Sequence, residues 1–133
     1  MMVLLDTSAL LWLWSGDARL GPQARETMDI ALHNERLAVS AITFWEVAML
    51  RDKGRLDFPD DVGVWRRELL ANGLVEIPVT GDLAVRAGAL EGIHGDPGDR
   101  LIVATALEGH RLVTSDRRIL AWAGTLDRLN SRV

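Results

Sequence analysis

Val3-Leu4-Leu5-Asp6-Thr7-Ser8-Ala9-Leu10-Leu11-Trp12-Leu13-Trp14 opens on three apolar residues, breaks on a carboxylate and two hydroxyls, and resumes as an apolar run of helix-compatible residues. It reads as buried strand, turn, helix. A short run that is apolar throughout, with no alternation, fits a strand covered on both faces. The same order returns along the chain. Leu37-Ala38-Val39 predicts a second strand, followed by a helix from Ala41 to about Lys53 that Ser40 can cap and Gly54 stops. Leu74-Val75-Glu76-Ile77 and Arg111-Leu112-Val113-Thr114 predict a third and a fourth strand, and Thr125 to Leu129 a short fifth at the sheet edge.

Helices fill the intervals. One is expected from Gly21-Pro22 to about Asn34, and one from Pro59-Asp60-Asp61 to near Asn72-Gly73 with Val62, Trp65 and Leu69 on a shared face. Another is capped by Thr80 or Asp82 and reaches about Glu91, and a short one runs from Ser115-Asp116 through Trp122. The glycine-rich loop from Gly92 to Gly98 leads into Leu101-Ile102-Val103-Ala104-Thr105-Ala106-Leu107, a buried helix ending near Glu108. Asp96 suits its cap, Pro97 its first position and Asp99 its first turn. Short apolar strands alternating with helices specify an α/β fold, a central parallel sheet of four or five strands flanked by helices, in a single domain over residues 1–133. Right-handed crossovers bring all strand carboxyl ends to one edge, where open α/β sheets bind ligands. Asp6 and Asp116 stand at two such ends.

Composition narrows the chemistry. A chain of 133 residues buries roughly two-thirds of the surface it exposes when unfolded, enough for a core without staples. It has no cysteine, which excludes disulfides, zinc–thiolate sites and thiol catalysis. No basic segment precedes Met2-Val3-Leu4-Leu5 and Asp6 ends the apolar run early, so neither a signal peptide nor a membrane span is expected and the chain reads as cytoplasmic. With 15 basic and 19 acidic residues the net charge is −4, unlike a basic nucleic-acid coat but compatible with a nucleic-acid enzyme. All the basic residues except Lys53 are arginine. The three histidines, His33, His94 and His110, lie on different segments without ligand spacing and read as surface or loop residues, with His94 within reach of a substrate at the acidic loop. Trp12, Trp45, Trp65 and Trp122 fall at helix packing positions and read as core or interface.

Among the carboxylates, Asp6 and Asp116 can each be a helix cap, Asp96 has the strongest cap signature, and Asp99 can simply favour a helix start. Glu46 has no such role. It is the only charged residue between Leu37 and Leu50, in a helix apolar nearly all round, with Ile42, Met49 and Leu50 beside it at helical spacing. A buried carboxylate without a partner costs several kcal/mol or turns neutral. Arg51, Lys53 or Arg100 can approach only from the edge. Carboxylates gathered in one cleft repel by about 4 kcal/mol per close pair at an intermediate dielectric, so convergence makes sense mainly around divalent cations, and an all-oxygen donor set favours magnesium or manganese. Such sites activate water and stabilise a phosphoryl transition state without a histidine base.

Four segments, Leu4-Leu5-Asp6-Thr7-Ser8-Ala9-Leu10, Val39-Ser40-Ala41-Ile42-Thr43-Phe44-Trp45-Glu46, Asp96-Pro97-Gly98-Asp99-Arg100 and Val113-Thr114-Ser115-Asp116, resemble in order and setting the PIN-domain ribonucleases, and closely the VapC toxins of bacterial toxin–antitoxin pairs. The resemblance implies a Rossmann-like PIN fold and Mg2+-dependent RNA cleavage, with Mn2+ as substitute. It implies a four-carboxylate site of Asp6, Glu46, Asp99 and Asp116, with Thr7, Ser115 and Arg100 in support. It also implies a homodimer and a VapB-type antitoxin inserted beside the acids, for which the groove near Trp45, Arg51 and the helix around Trp65 is the expected seat, with DNA contacted only through the antitoxin. Gly98 departs from the pattern, since many relatives carry a bulkier, often aromatic residue there.

Rival readings fit less well. A haloacid-dehalogenase-like phosphatase wants a second aspartate where Ser8 stands and a late lysine; a receiver domain fails because Lys53 lies in the wrong half; no glycine-rich phosphate loop with Lys-Ser/Thr is present. The remaining alternative is a catalytically silent PIN domain that serves as an RNA- or protein-binding scaffold.

Overall fold

The computed structural model describes residues 1–56 and 61–133. In it the opening segment forms strand β1 (Val3–Leu5) and helix α1 (Thr7–Ser15) with Asp6 between them. The chain continues through α2 (Pro22–His33), β2 (Leu37–Ser40), α3 (Ile42–Asp52), α4 (Val62–Ala71), β3 (Val75–Ile77), α5 (Gly81–Ala89), α6 (Pro97–Ala106), β4 (Arg111–Thr114), α7 (Arg117–Leu120) and β5 (Arg128–Asn130). All five strands are parallel, in the order β3-β2-β1-β4-β5. Leu5 pairs with Val39 on one side and Val113 on the other, so β1 lies in the middle. The strand order reverses between β1 and β4, which opens the crevice expected at such a switch point.

Two cores follow from the alternation of side chains along the apolar stretches Val3-Leu4-Leu5, Leu37-Ala38-Val39 and Leu112-Val113 of the three central strands. Leu5, Leu37, Val39 and Val113 pack on one face against Leu10, Met28, Phe44, Val47 and Trp65. Leu4, Ala38 and Leu112 pack on the other against Ile102, Val103, Ala106 and Ile119. Each side chain of this kind contributes roughly 1.5–3 kcal/mol when fully buried. Both faces of the sheet are therefore covered, and the strand ends are the places left for polar chemistry.

The element boundaries bear out the sequence reading with informative exceptions. The expected start of α4 at Pro59-Asp60 lies outside the described residues; the helix found there is capped by Asp61, whose Oδ1 accepts from the N–H groups of Gly63 and Val64. The fifth strand was expected over 125–129 and lies later. Trp122 donates its indole N–H to the carbonyl of Glu91, and Arg128 donates to the carbonyls of Ile119 and Trp122, so the chain after α7 is tied down before it can pair with β4. Trp12 and Trp65 are core residues, but Trp45 is 57% exposed. Phe44 and Val47 face the core from α3, which turns the intervening Trp45 outward. Trp65 is 1% exposed and meets Trp14 and Phe44 edge to face, so it packs inside and offers no docking surface. Among the described residues no helix is long and apolar enough to cross a membrane.

The segment after β5 closes against the start of α2. Gly21 donates its N–H to Ser131, Gln23 donates to Val133, and a Cβ at position 21 would fall 2.2 Å from the backbone carbon of Val133. Backbone cannot swing aside as a side-chain tip can. Gly21→Ala is expected to cost roughly 1–3 kcal/mol through overpacking, read as a lower melting temperature.

Candidate active site

Four segments deliver acids to the carboxyl edge of the sheet. β1 ends at Asp6, β4 at Asp116, Glu46 lies on the first half of α3 after β2, and Asp99 lies in the first turn of α6. With Thr7, Ser8, Leu11, Leu50 and Ser115 they line one cleft of about 230 Å³. The four acids singled out from sequence are thus brought together.

Three of the aspartates are helix caps as well. Asp6 Oδ1 accepts from Ala9 N–H at 2.8 Å, Asp96 Oδ1 from Asp99 N–H at 2.9 Å, and Asp116 Oδ1 from Arg118 and Ile119 N–H at 2.8 and 3.2 Å. The cap geometry uses one oxygen and leaves the other to face neighbours. Asp6 Oδ2 accepts a 2.6 Å hydrogen bond from the buried hydroxyl of Thr114. Glu46 Oε1 accepts from Thr7 Oγ1 at 2.7 Å, and the Thr7 hydroxyl also lies 3.1 Å from that of Thr43. Donor atoms of Glu46, Asp96 and Asp99 come within 4.8 Å of one another, as do those of His94, Asp99 and Asp116.

Burial sets the electrostatics. It lifts Asp6 from its ordinary 3.8 to about 6, opposed by the bonds from Thr114 and Ala9 and reinforced by the charges of Asp99 and Asp116. Glu46 is raised by burial, against the Thr7 bond, with Asp99, Asp96 and Asp6 adding repulsion. Asp99 is raised for the same first reason, partly offset by His94. Asp116 differs. Burial pushes it up, but hydrogen bonds from the Arg118 side chain and from the Ile119 and Arg118 backbones outweigh that and hold it below its ordinary value. The Arg118 guanidinium sits 3.1 Å from Asp116 and 4.0 Å from Asp99 at the cleft mouth, 63% exposed. The close donor sets of Glu46, Asp96 and Asp99 and of His94, Asp99 and Asp116, in a cleft where burial disfavours charge on Asp6, Glu46 and Asp99, suit a divalent cation.

Several partners escaped the sequence reading. Thr114, not Ser115, supplies the hydroxyl from β4 that reaches an acid; Ser115 lines the cleft beside it. His94, expected as a surface or loop residue, is largely buried and places Nε2 2.6 Å from Asp99 Oδ2. Arg118 was legible in principle from its spacing two residues after an aspartate, since Asp17 and Arg19 form the same local pair. Arg100, expected to support the acids, points elsewhere. Its guanidinium donates to the carbonyls of Ala87, Gly88, Leu90, Ile93 and His94. Arg100 therefore holds the loop that carries His94.

The raised Asp6 carboxyl has a stability consequence. Its folded pKa lies above the unfolded one, so the stability it contributes is fully present below pH 3.8 and is lost as pH rises through about 6. The loss at neutral pH is on the order of 3 kcal/mol. Asp6→Asn, in chelator, is expected to melt at a higher temperature than the native protein at pH 7.5 and at about the same temperature at pH 4, as scanning calorimetry at both values would read.

Comparison with known proteins agrees with this architecture. The sequence profile of the PIN domain matches residues 3–124. Ribonuclease VapC22 of Mycobacterium tuberculosis is 40% identical over 120 residues, 88% of each chain. A toxin–antitoxin complex from Klebsiella pneumoniae superposes with a TM-score of 0.61 at 24% identity over 97% of both chains. DNA-bound VapBC from Salmonella typhimurium gives 0.66 at 18% identity over 97% of this chain and 98% of that one. The solved structures share the fold, and the PIN-domain profile spans the positions of all four acids. The chain therefore belongs to the PIN-domain family.

Proposed function

We propose that this chain is a divalent-cation-dependent endoribonuclease and the toxin of a VapBC-type pair. The observation that carries the reading is the arrival of Asp6, Glu46, Asp99 and Asp116, from four separate segments, in one cleft where burial and mutual repulsion disfavour the charged forms of Asp6, Glu46 and Asp99. Similarity to a ribonuclease along 88% of both chains supports the substrate class. Asp6, Glu46, Asp99 and Asp116 would hold Mg2+, with Mn2+ able to replace it. Bound there, the cation supplies Lewis-acid polarisation and charge neutralisation for displacement at phosphorus. The chain's own residues do the rest. Thr114 and Ala9 hold Asp6 in place, Thr7 orients Glu46, and His94 fixes Asp99. Arg118, exposed at the mouth beside Asp99 and Asp116, is placed to receive a phosphate.

A VapB-type antitoxin and a second copy of the chain are the partners this reading carries, with DNA reached through the antitoxin and the cytoplasm as the compartment. The exposed rings of Trp45 and Trp14, at 57% and 43%, offer apolar surface on the α1 and α3 side for such a contact.

Purified protein incubated with structured RNAs is expected to cut them with manganese or magnesium and not with chelator. Asp6→Asn should lower the rate on the order of a hundredfold or more. Thr7→Val, which leaves every carboxylate in place but frees Glu46, should lower it by about tenfold. Cutting in chelator, or by Asp6→Asn at the native rate, would sink the mechanism. Cation binding without cutting of any RNA would support the silent scaffold.

A further inference from the structure

The cleft that gathers the four acids also has an apolar wall, made by Leu11 of α1 and Leu50 of α3. Both leucines are partly exposed. Each stands four residues, one helical turn, beyond a polar residue of the same cleft: Leu11 after Thr7, and Leu50 after Glu46. Thr7 and Glu46 are themselves hydrogen-bonded across the two helices at 2.7 Å. The leucines are the next rung of that helix pair, so the cleft passes from oxygen donors to methyl groups within one turn. Leu11 packs against the core that contains Leu5 and Val39, whereas Leu50 joins no apolar cluster among the described residues. Neither leucine has a part in holding a cation, whose ligands are oxygen and nitrogen donors.

We infer that Leu11 and Leu50 form a seat for the nucleobase beside the scissile phosphate, so that these two side chains set how the RNA lies in the cleft. The seat rests on the ribonuclease reading of the acids. A phosphodiester placed over the acids carries a sugar and a base on either side. Phosphate and ribose hydroxyls lose by leaving water, but a base has a flat face that gains by it, and contact with that face holds a single strand with little regard to sequence. The leucines line the same cleft as the acids, so a strand entering to be cut runs past them. Polar groups at the floor and apolar groups on the wall divide the work as ligand sites do: the first fix position, the second bury surface.

The test changes protein and substrate together. A short RNA that the native protein cuts at one mapped position is prepared intact and with the base removed from the nucleotide on either side of the cut. Native protein, Leu50→Ala and Leu50→Met are compared by single-turnover cleavage with manganese, and Mn2+ affinity is measured on each by calorimetry. Leu50→Ala is expected to cut the intact RNA about tenfold more slowly at native Mn2+ affinity, and Leu50→Met to recover most of that loss. Removing one of the two bases should slow the native protein by a similar factor and Leu50→Ala no further. Leu11→Ala should repeat the pattern with a lower melting temperature, since it also packs on the core. Additive losses at both positions, or a fall in Mn2+ affinity that accounts for the slowing, overturn the inference. An unaltered rate in Leu50→Ala overturns it too, and is the result a protein partner seated on the leucines would give. If the native protein cuts no RNA, the ribonuclease reading falls by itself. Fluorescence anisotropy with labelled oligoadenylate and the same chain stripped of bases then decides the seat. A penalty for base removal that Leu50→Ala abolishes supports it, and an equal penalty or no binding overturns it.

Discussion

A carboxylate at the buried end of the central strand constrains the rest of the molecule. Asp6 follows β1, which is paired on both sides, and is only 7% exposed. A group so placed needs hydrogen bonds from whatever lies nearest, and these come from two directions: the first turn of α1 and the Thr114 hydroxyl at the end of β4. The second bond joins residues 108 positions apart. It can form only if β1 and β4 are neighbours in parallel register, with their ends level. The sheet order and the acid site thus enforce each other, and a slip of register would leave the carboxylate without its donor.

The local structure explains how acids accumulate without unfolding the protein. Each of the three capping aspartates binds its helix through Oδ1, and the short helices that follow start where the cleft requires a negative group. A choice between cap and ligand, open at the level of sequence, dissolves because one side chain has two oxygens. Glu46 has no cap to serve and is held instead by the Thr7 hydroxyl.

This division marks what sequence can reveal. Continuous apolar strands, the Asp96-Pro97 helix start, and a charge inside an apolar helix are local signals, and from them the parallel sheet and the four converging acids were legible. Thr114, His94 and Arg100 were not, because their roles are set by partners that no period or spacing connects. His94 meets Asp99 only because the loop between α5 and α6 doubles back, and Arg100 is consumed in holding that loop. The outward turn of Trp45 was lost for a related reason. In a helix apolar on nearly every side, hydrophobicity no longer tells which face is inside, and Phe44 and Val47 took the core.

The Arg100 clamp bears on how such a protein can change over time. Every acceptor it uses is a main-chain carbonyl, from Ala87 at the end of α5 to His94 in the loop. A clamp that reads backbone is indifferent to the side chains along that path. Exposed loop positions such as Glu91 and Gly95 are therefore free to drift in sequence while the carboxylate of Asp99 stays where it is, and the rim of the cleft can vary its surface chemistry without loosening its floor.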